Sequence, residues 1–176
     1  FIANSHQYDR VIYHFGNSAF QQHMFGLLAA IPGVVVVHDF YLSHVLHHME
    51  AVGYAPGCFT EQLYHSHGYE ALIDRAHAMD DSIFVWKYPC SRDVLQNSVG
   101  VIFHSENSIR LSEKYYGGEL ANCSVIPLVR APVAEVDSVS VRKALGFSEK
   151  DFVVCSFGML GPTKLNHRLL KAWFDS

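Results

Sequence analysis

Four consecutive valines, Val34–Val37, most constrain what this chain can fold into. Pro32-Gly33 precedes the run and His38-Asp39 ends it, so the segment reads as a short, sharply bounded strand. A strand that is apolar at every position, rather than at alternate ones, is expected to be buried on both faces, as in a parallel sheet covered by helices. Four further runs share this character: Val11-Ile12-Tyr13, Val101-Ile102-Phe103, Ser124-Val125-Ile126 and Phe152-Val153-Val154. Helical spacing fills the intervals. Residues 19–30 carry Phe20, Met24, Leu27 and Leu28, and residues 41–52 carry Leu42, Val45, Leu46 and Met49. Residues 107–116 and 166–174 follow later runs in the same manner. Strand, turn and helix alternate, which predicts a doubly wound α/β fold: a Rossmann-like parallel sheet flanked by helices.

Composition agrees with a packed interior and narrows the function. Of 176 residues, 49% are hydrophobic and 17% charged, which provides a sizeable core and excludes the signature of disorder. Thirteen Lys and Arg against seventeen Asp and Glu leave a net charge of -4, so no nucleic-acid partner is expected. No apolar run approaches the roughly 20 residues that span a bilayer, so no transmembrane segment is expected. Cys58, Cys90, Cys123 and Cys155 are widely spaced and form no CxxC pair. Scattered thiols fit a reducing compartment better than a disulfide framework, although their even number leaves bridges open. The first residues, Phe1-Ile2-Ala3-Asn4-Ser5, show no signal peptide and no initiator Met, so an excised or processed cytoplasmic chain is expected.

Between Gly53 and Asn97 no convincing strand occurs. Helical spacing over residues 69–79 and an aromatic run, residues 84–88, predict a helical crossover acting as a lid or a packing subdomain. A boundary is expected within residues 132–140, where apolar periodicity lapses. The division is therefore residues 1–134, a partial Rossmann-like domain, and residues 135–176, a linker helix near 139–145 followed by one βα unit. That unit is too small to build a core of its own. It either opens another domain or adds to the first sheet.

Several segments carry candidate chemistry. Phe157-Gly158-Met159-Leu160-Gly161-Pro162-Thr163-Lys164 lies between the last run and its helix. Gly158 and Gly161 let backbone N–H groups approach an oxyanion at a helix N-terminus, and Lys164 adds a point charge. The spacing is not that of a Walker A loop, and an ordinary strand-to-helix turn with a surface lysine is the alternative. His38, at the carboxyl end of the valine strand, lies where open α/β sheets bind ligands and could donate to a phosphate or a sugar hydroxyl. A hydrogen-bonded structural histidine is the alternative, with Asp39 capping the next helix. Gly16-Asn17-Ser18 ends the first run on the same edge, where Gly and Asn tolerate left-handed backbone; on the local residues alone a plain turn is favoured over a ligand contact. Ser105 and Glu106 read as a cap and a dipole partner for the helix that follows. Twelve histidines are present, with His44, His47 and His48 at helical spacing and His65 and His67 as an HxH pair. No HExxH or paired CxxC accompanies them, so packing or solvated histidines are favoured over a metal site. An HD phosphohydrolase is also disfavoured, because His38-Asp39 follows a strand rather than lying within a helix.

Taken in order, five segments resemble the group 1 (family 4) glycosyltransferases, which have the two-domain GT-B fold. They are residues 11–18, 32–39, 101–106 and 125–128, and the stretch from Phe152 through Trp173. The resemblance implies retaining transfer of a sugar from a nucleotide diphosphate-sugar to a carbohydrate or lipid-linked acceptor, with no required metal or other cofactor. It implies that His38 lies near the donor sugar and its phosphate, and that Lys164 contacts the diphosphate. The arginine usual just after the strand glycine falls at Met159. The family's first strand and its later acidic pair have no counterpart here. The resemblance thus implies the end of an acceptor domain joined to the start of a donor domain, peripheral to a membrane in the intact enzyme and inactive in isolation. An α/β chain truncated in this way is also expected to self-associate. Two alternatives remain: a non-catalytic binding or assembly module of the same fold, and a histidine-rich metal-dependent hydrolase.

Overall fold

In the computed structural model, which describes residues 1–80, 84–118, 122–132, 134–161 and 164–175, the valine run forms a strand and three of the four other runs join it. The strands are β1 (Ile12–Phe15), β2 (Val34–Val37), β3 (Gly100–Phe103) and β4 (Cys123–Val125). They form one all-parallel sheet in the order β1-β2-β3-β4. Tyr13 pairs with Val35, Val35 with Val101, and Val101 with Cys123. Helices α1 (His23–Ala30) and α2 (Ser43–Ala51) follow β1 and β2, and α7 (Glu106–Tyr116) follows β3. The crossover between β2 and β3 is helical, as expected, with α3 (Cys58–His67), α4 (Tyr69–His77), α5 (Phe84–Lys87) and α6 (Arg92–Gln96). Phe59, Leu63, Ala71, Phe84, Val94 and Leu95 from these helices are buried in the core, so this segment is a packing layer rather than a lid.

One expectation is corrected by the strand order. The sheet advances in one direction and never reverses, so the described strands are not doubly wound. Crossovers of constant right hand then fall on one side of the sheet. Burial follows the same logic. Tyr13, Phe15, Val35, Val37, Val101 and Phe103 are buried on the helix side. At the alternate positions only Val36 is buried, whereas Ile12, His14 and Ser124 are exposed. The valine run is therefore covered on its second face too, at Val36, as expected of it, whereas β1 and β4 are open on that face.

Two features hold the sheet to its helices. A Cβ on Gly33 would lie 2.6 Å from the Val11 carbonyl oxygen and 2.8 Å from the Tyr13 ring, so only glycine admits this approach of β2 to β1. On the helical layer, Glu50 accepts from the backbone N–H of Phe59 (3.0 Å) and Thr60 (3.1 Å) and from Arg75 Nη2 (2.8 Å). Desolvation alone would raise the Glu50 pKa, but the hydrogen bonds from Arg75 and Thr60 outweigh it and the net direction is down. The same guanidinium lies 4.8 Å from the centre of the Phe59 ring. All four cysteines are free, with Cys90 buried, Cys58 and Cys123 half-buried and Cys155 exposed.

The contacts divide the chain into residues 1–129 and residues 130–176. In the second unit, α8 (Ser138–Ala144) is capped by Asp137, whose carboxylate accepts from the Val139 N–H at 3.1 Å. Helix α9 (Asn166–Phe174) occupies the span expected of it. Phe152-Val153-Val154, expected as a fifth strand, pairs with no other strand among the described residues and joins no sheet. A ladder needs a neighbour, and the described residues of the second unit offer none. Phe152 instead stacks on Trp173, with ring centres 6.1 Å apart and planes within 4°.

Candidate functional site

The carboxyl edge of the sheet gathers its polar side chains by simple alternation. Phe15, Val37 and Phe103 point into the core, so the residues next to them, His14, His38 and His104, fall on the opposite, open side. The ladder persists beyond the strands, since His38 N donates to Phe15 O and Ile126 N to Phe103 O, each at 2.8 Å. Three imidazoles are thereby set side by side. His14 Nδ1 lies 3.0 Å from His38 Nε2, and His38 Nδ1 lies 3.2 Å from His104 Nε2. His104 Nδ1 lies 2.7 Å from the Ile126 carbonyl oxygen. The His14 and His38 rings are nearly parallel, 21° apart.

The carbonyl fixes the tautomers. Ile126 O can only accept, so His104 carries its proton on Nδ1 and presents a lone pair at Nε2. His38 then donates from Nδ1 and accepts at Nε2 from His14 Nδ1–H. Both ring nitrogens of His38 are engaged, and the free acceptor of the array is His14 Nε2. Desolvation, followed by the neighbouring His104 and His14, lowers the His38 pKa against the opposing pull of Asp39.

Asn17 ties this edge to the helical layer. Its N–H donates to Asp39 Oδ2 at 3.0 Å, its Nδ2 to His44 Nδ1 at 3.0 Å, and its Oδ1 accepts from the Val45 N–H at 2.9 Å. Leu42 holds the N-cap position of α2 without a side-chain bond, so a first-turn N–H is satisfied by Asn17 and not by Asp39, whose carboxylate braces the Asn17 turn instead. Gly16 does not adopt positive φ, contrary to the left-handed turn expected there. Its value is spatial: a Cβ would approach Gln21 Nε2 to 3.2 Å and Asp39 Oδ2 to 3.4 Å. Ser105 stands at the N-cap of α7 without a side-chain capping bond, and its hydroxyl pairs with Ser108 Oγ at 3.3 Å. A cavity of about 350 Å3 adjoins the edge, lined by Asn17, Asp39, Phe40, Tyr41, His44 and Trp86. Tyr41 hydrogen-bonds Tyr115 at 3.1 Å, and burial followed by that bond pushes its pKa up to about 12.

The remaining histidines disperse. The His47 ring stands edge-on to Phe59, and His65 pairs with Asp93 at 3.1 Å. His67 sits among Tyr88, Tyr115 and Tyr116 and accepts from the Cys90 N–H at 3.3 Å. Burial, then Arg92, lowers its pKa to about 4. Among the described residues no group of three or more His, Cys, Asp or Glu converges on a point that could hold a metal ion.

In the second unit, Gly158 has φ 118°, a conformation that favours glycine, and Gly161 O accepts from the Lys164 N–H at 3.0 Å. The Lys164 side chain is exposed, two residues before the start of α9. Pro162 and Thr163 of the loop lie outside the described residues. No helix among the described residues is long and apolar enough to cross a membrane.

His14 and His104 are the residues that sequence reasoning missed. The signal was available: three β-branched runs each carry a histidine at their carboxyl end, and in each the residue beside it is a large apolar one that must face the core. No protein family, curated protein or solved structure matches the chain.

Proposed function

We propose that this chain is a glycosyltransferase segment of the group 1, GT-B type, serving retaining transfer of a sugar from a nucleotide diphosphate-sugar to a carbohydrate or lipid-linked acceptor. The observation that carries the reading is the placement of His38, with Asp39, at the carboxyl edge of an all-parallel sheet. Ligands of open α/β sheets collect at that edge. The Gly158–Lys164 loop supports it from the second unit, since positive φ at Gly158 and a helix behind Lys164 suit an oxyanion. The order of the five resembling segments supports the same reading.

The histidines set a condition on it. His38 reaches a phosphate or hydroxyl only by releasing His14 or His104, so His14 Nε2 is the nitrogen that meets a ligand in the resting arrangement. Calorimetric titration with UDP, GDP and ADP, in the wild type and Lys164→Ala, tests the proposal. Saturable binding of one diphosphate, weakened about tenfold by the substitution, is the expected result. Binding of none of the three overturns it. Binding at full strength in Lys164→Ala removes the diphosphate role from that lysine. Binding without turnover on a panel of nucleotide sugars is the result expected of the segment alone, and turnover would overturn its expected inactivity. Met159 in the arginine position is what supports the non-catalytic module as the alternative.

A further inference from the structure

The three histidines at the sheet edge form a device whose proton capacity can be counted. We propose that His14, His38 and His104 hold one exchangeable proton in common, and that it enters and leaves through Nε2 of His14. This goes beyond the transferase reading and does not depend on it.

The argument is one of hydrogen-bond topology. The array contains three bonds: His14 to His38 at 3.0 Å, His38 to His104 at 3.2 Å, and His104 to Ile126 O at 2.7 Å. Each bond needs one proton, and three neutral imidazoles carry three. The neutral array is therefore fully bonded in a single tautomeric arrangement, with one nitrogen, His14 Nε2, left as an open base. One more proton on that nitrogen breaks nothing. The charge can then reside on His14, on His38 or on His104 through shifts of protons within the existing bonds. A second added proton has no such place. It would set two N–H groups against each other across a gap of about 3 Å and put like charges on adjacent rings. The array is thus neutral or singly charged, and its titration belongs to the group rather than to any ring.

The surroundings suit a single charge. The titratable groups that His38 feels are His14 from β1, His104 after β3 and Asp39 after β2, while β4 presents only the Ile126 carbonyl. Asp39 favours a positive charge on the central ring, whereas desolvation and the flanking histidines disfavour it there. The open nitrogen of the array is on His14, at the end of the three-bond chain, where a hydroxyl or phosphate oxygen at the edge could exchange the proton. His14 is then a proton-exchange residue, and His38 and His104 are positioning residues that share its charge.

The test counts protons in the whole chain by potentiometry between pH 8 and pH 5, alongside imidazole 15N shifts. In the wild type the three rings are expected to shift with one common midpoint and to account for about one proton. His38→Ala removes the middle ring at an exposed position, freeing His14 and His104 to titrate separately. The variant, although one histidine poorer, is expected to bind about one proton more than the wild type over this range. His14→Ala removes the open nitrogen while leaving the His38–His104 bond, and serves to locate the point of entry. Three independent midpoints in the wild type overturn the proposal, as does a proton count in His38→Ala that is equal or lower. A shared midpoint that is unchanged in His14→Ala overturns His14 as the entry.

Discussion

In residues 1–129, the valine run of β2 has a parallel neighbour on each side and helices beneath it. Val35, Val37, Phe15 and Phe103 accordingly vanish from solvent. In residues 130–175, Phe152-Val153-Val154 has comparable β-branched character and a helix nine residues long behind it, yet no described residue there is buried. The same local pattern thus yields an interior in one unit and a surface in the other. Strand propensity measures fitness for a pleated, half-buried surface, and that surface must be supplied by neighbours. The first unit supplies it in four adjoining strands.

Four perturbations probe this contrast, beginning with the largest expected effect. Phe59→Ala removes a fully buried ring that carries the Arg75 guanidinium. It is expected to lower the stability of the first unit by about 3–5 kcal/mol in urea unfolding. Gly33→Ala forces a methyl to within 2.6 Å of a backbone oxygen and should cost about 2–3 kcal/mol, with loss of amide protection in β1 and β2. An equal stability in this variant would mean that β1 and β2 pack less closely than described.

The third perturbation is acid. Neutral His67 accepts a backbone hydrogen bond inside the aromatic layer, and its folded pKa of about 4 lies below the ordinary 6.5. The unfolded chain then binds the proton first, so this contribution is complete above pH 6.5 and is lost as pH falls toward 4. The melting temperature of the first unit should fall over that window, and His67→Gln, which keeps an acceptor, should flatten the slope. Trp173→Ala has the smallest expected effect. It removes the ring stacked on Phe152, half-exposed at 49%, and should leave the main unfolding transition within about 0.5 kcal/mol. A large effect there would give the second unit a cooperative interior and dissolve the contrast.

Much of the first unit is legible in the sequence because its signals are local. Valine runs, Pro32-Gly33 punctuation and helical spacing locate β1 to β4, α2, α4 and α7. The one-sidedness of the sheet is not local, since it follows from strand order, which no single run encodes. The site was read in part. His38 stands where a strand end places it, but its partners come from runs 24 and 66 residues away in sequence. Asn17 reads as a turn residue. Its work, holding Asp39, His44 and the start of α2 together, becomes visible only when β1 and β2 are side by side. In the loop of residues 157–164 the sequence marks Gly158, which takes the positive φ that a glycine permits, while the arginine position is filled by Met159, an exposed apolar side chain.

The four thiols, all free and spread over three depths, make the molecule its own probe of opening. Cys155 reports on the second unit, Cys58 and Cys123 on the fringes of the first, and Cys90, whose thiol burial pushes up to about 12, on its centre. An alkylating reagent added to the folded chain would therefore label from the outside inward. The lag before Cys90 reacts would time how often the helical layer around it opens.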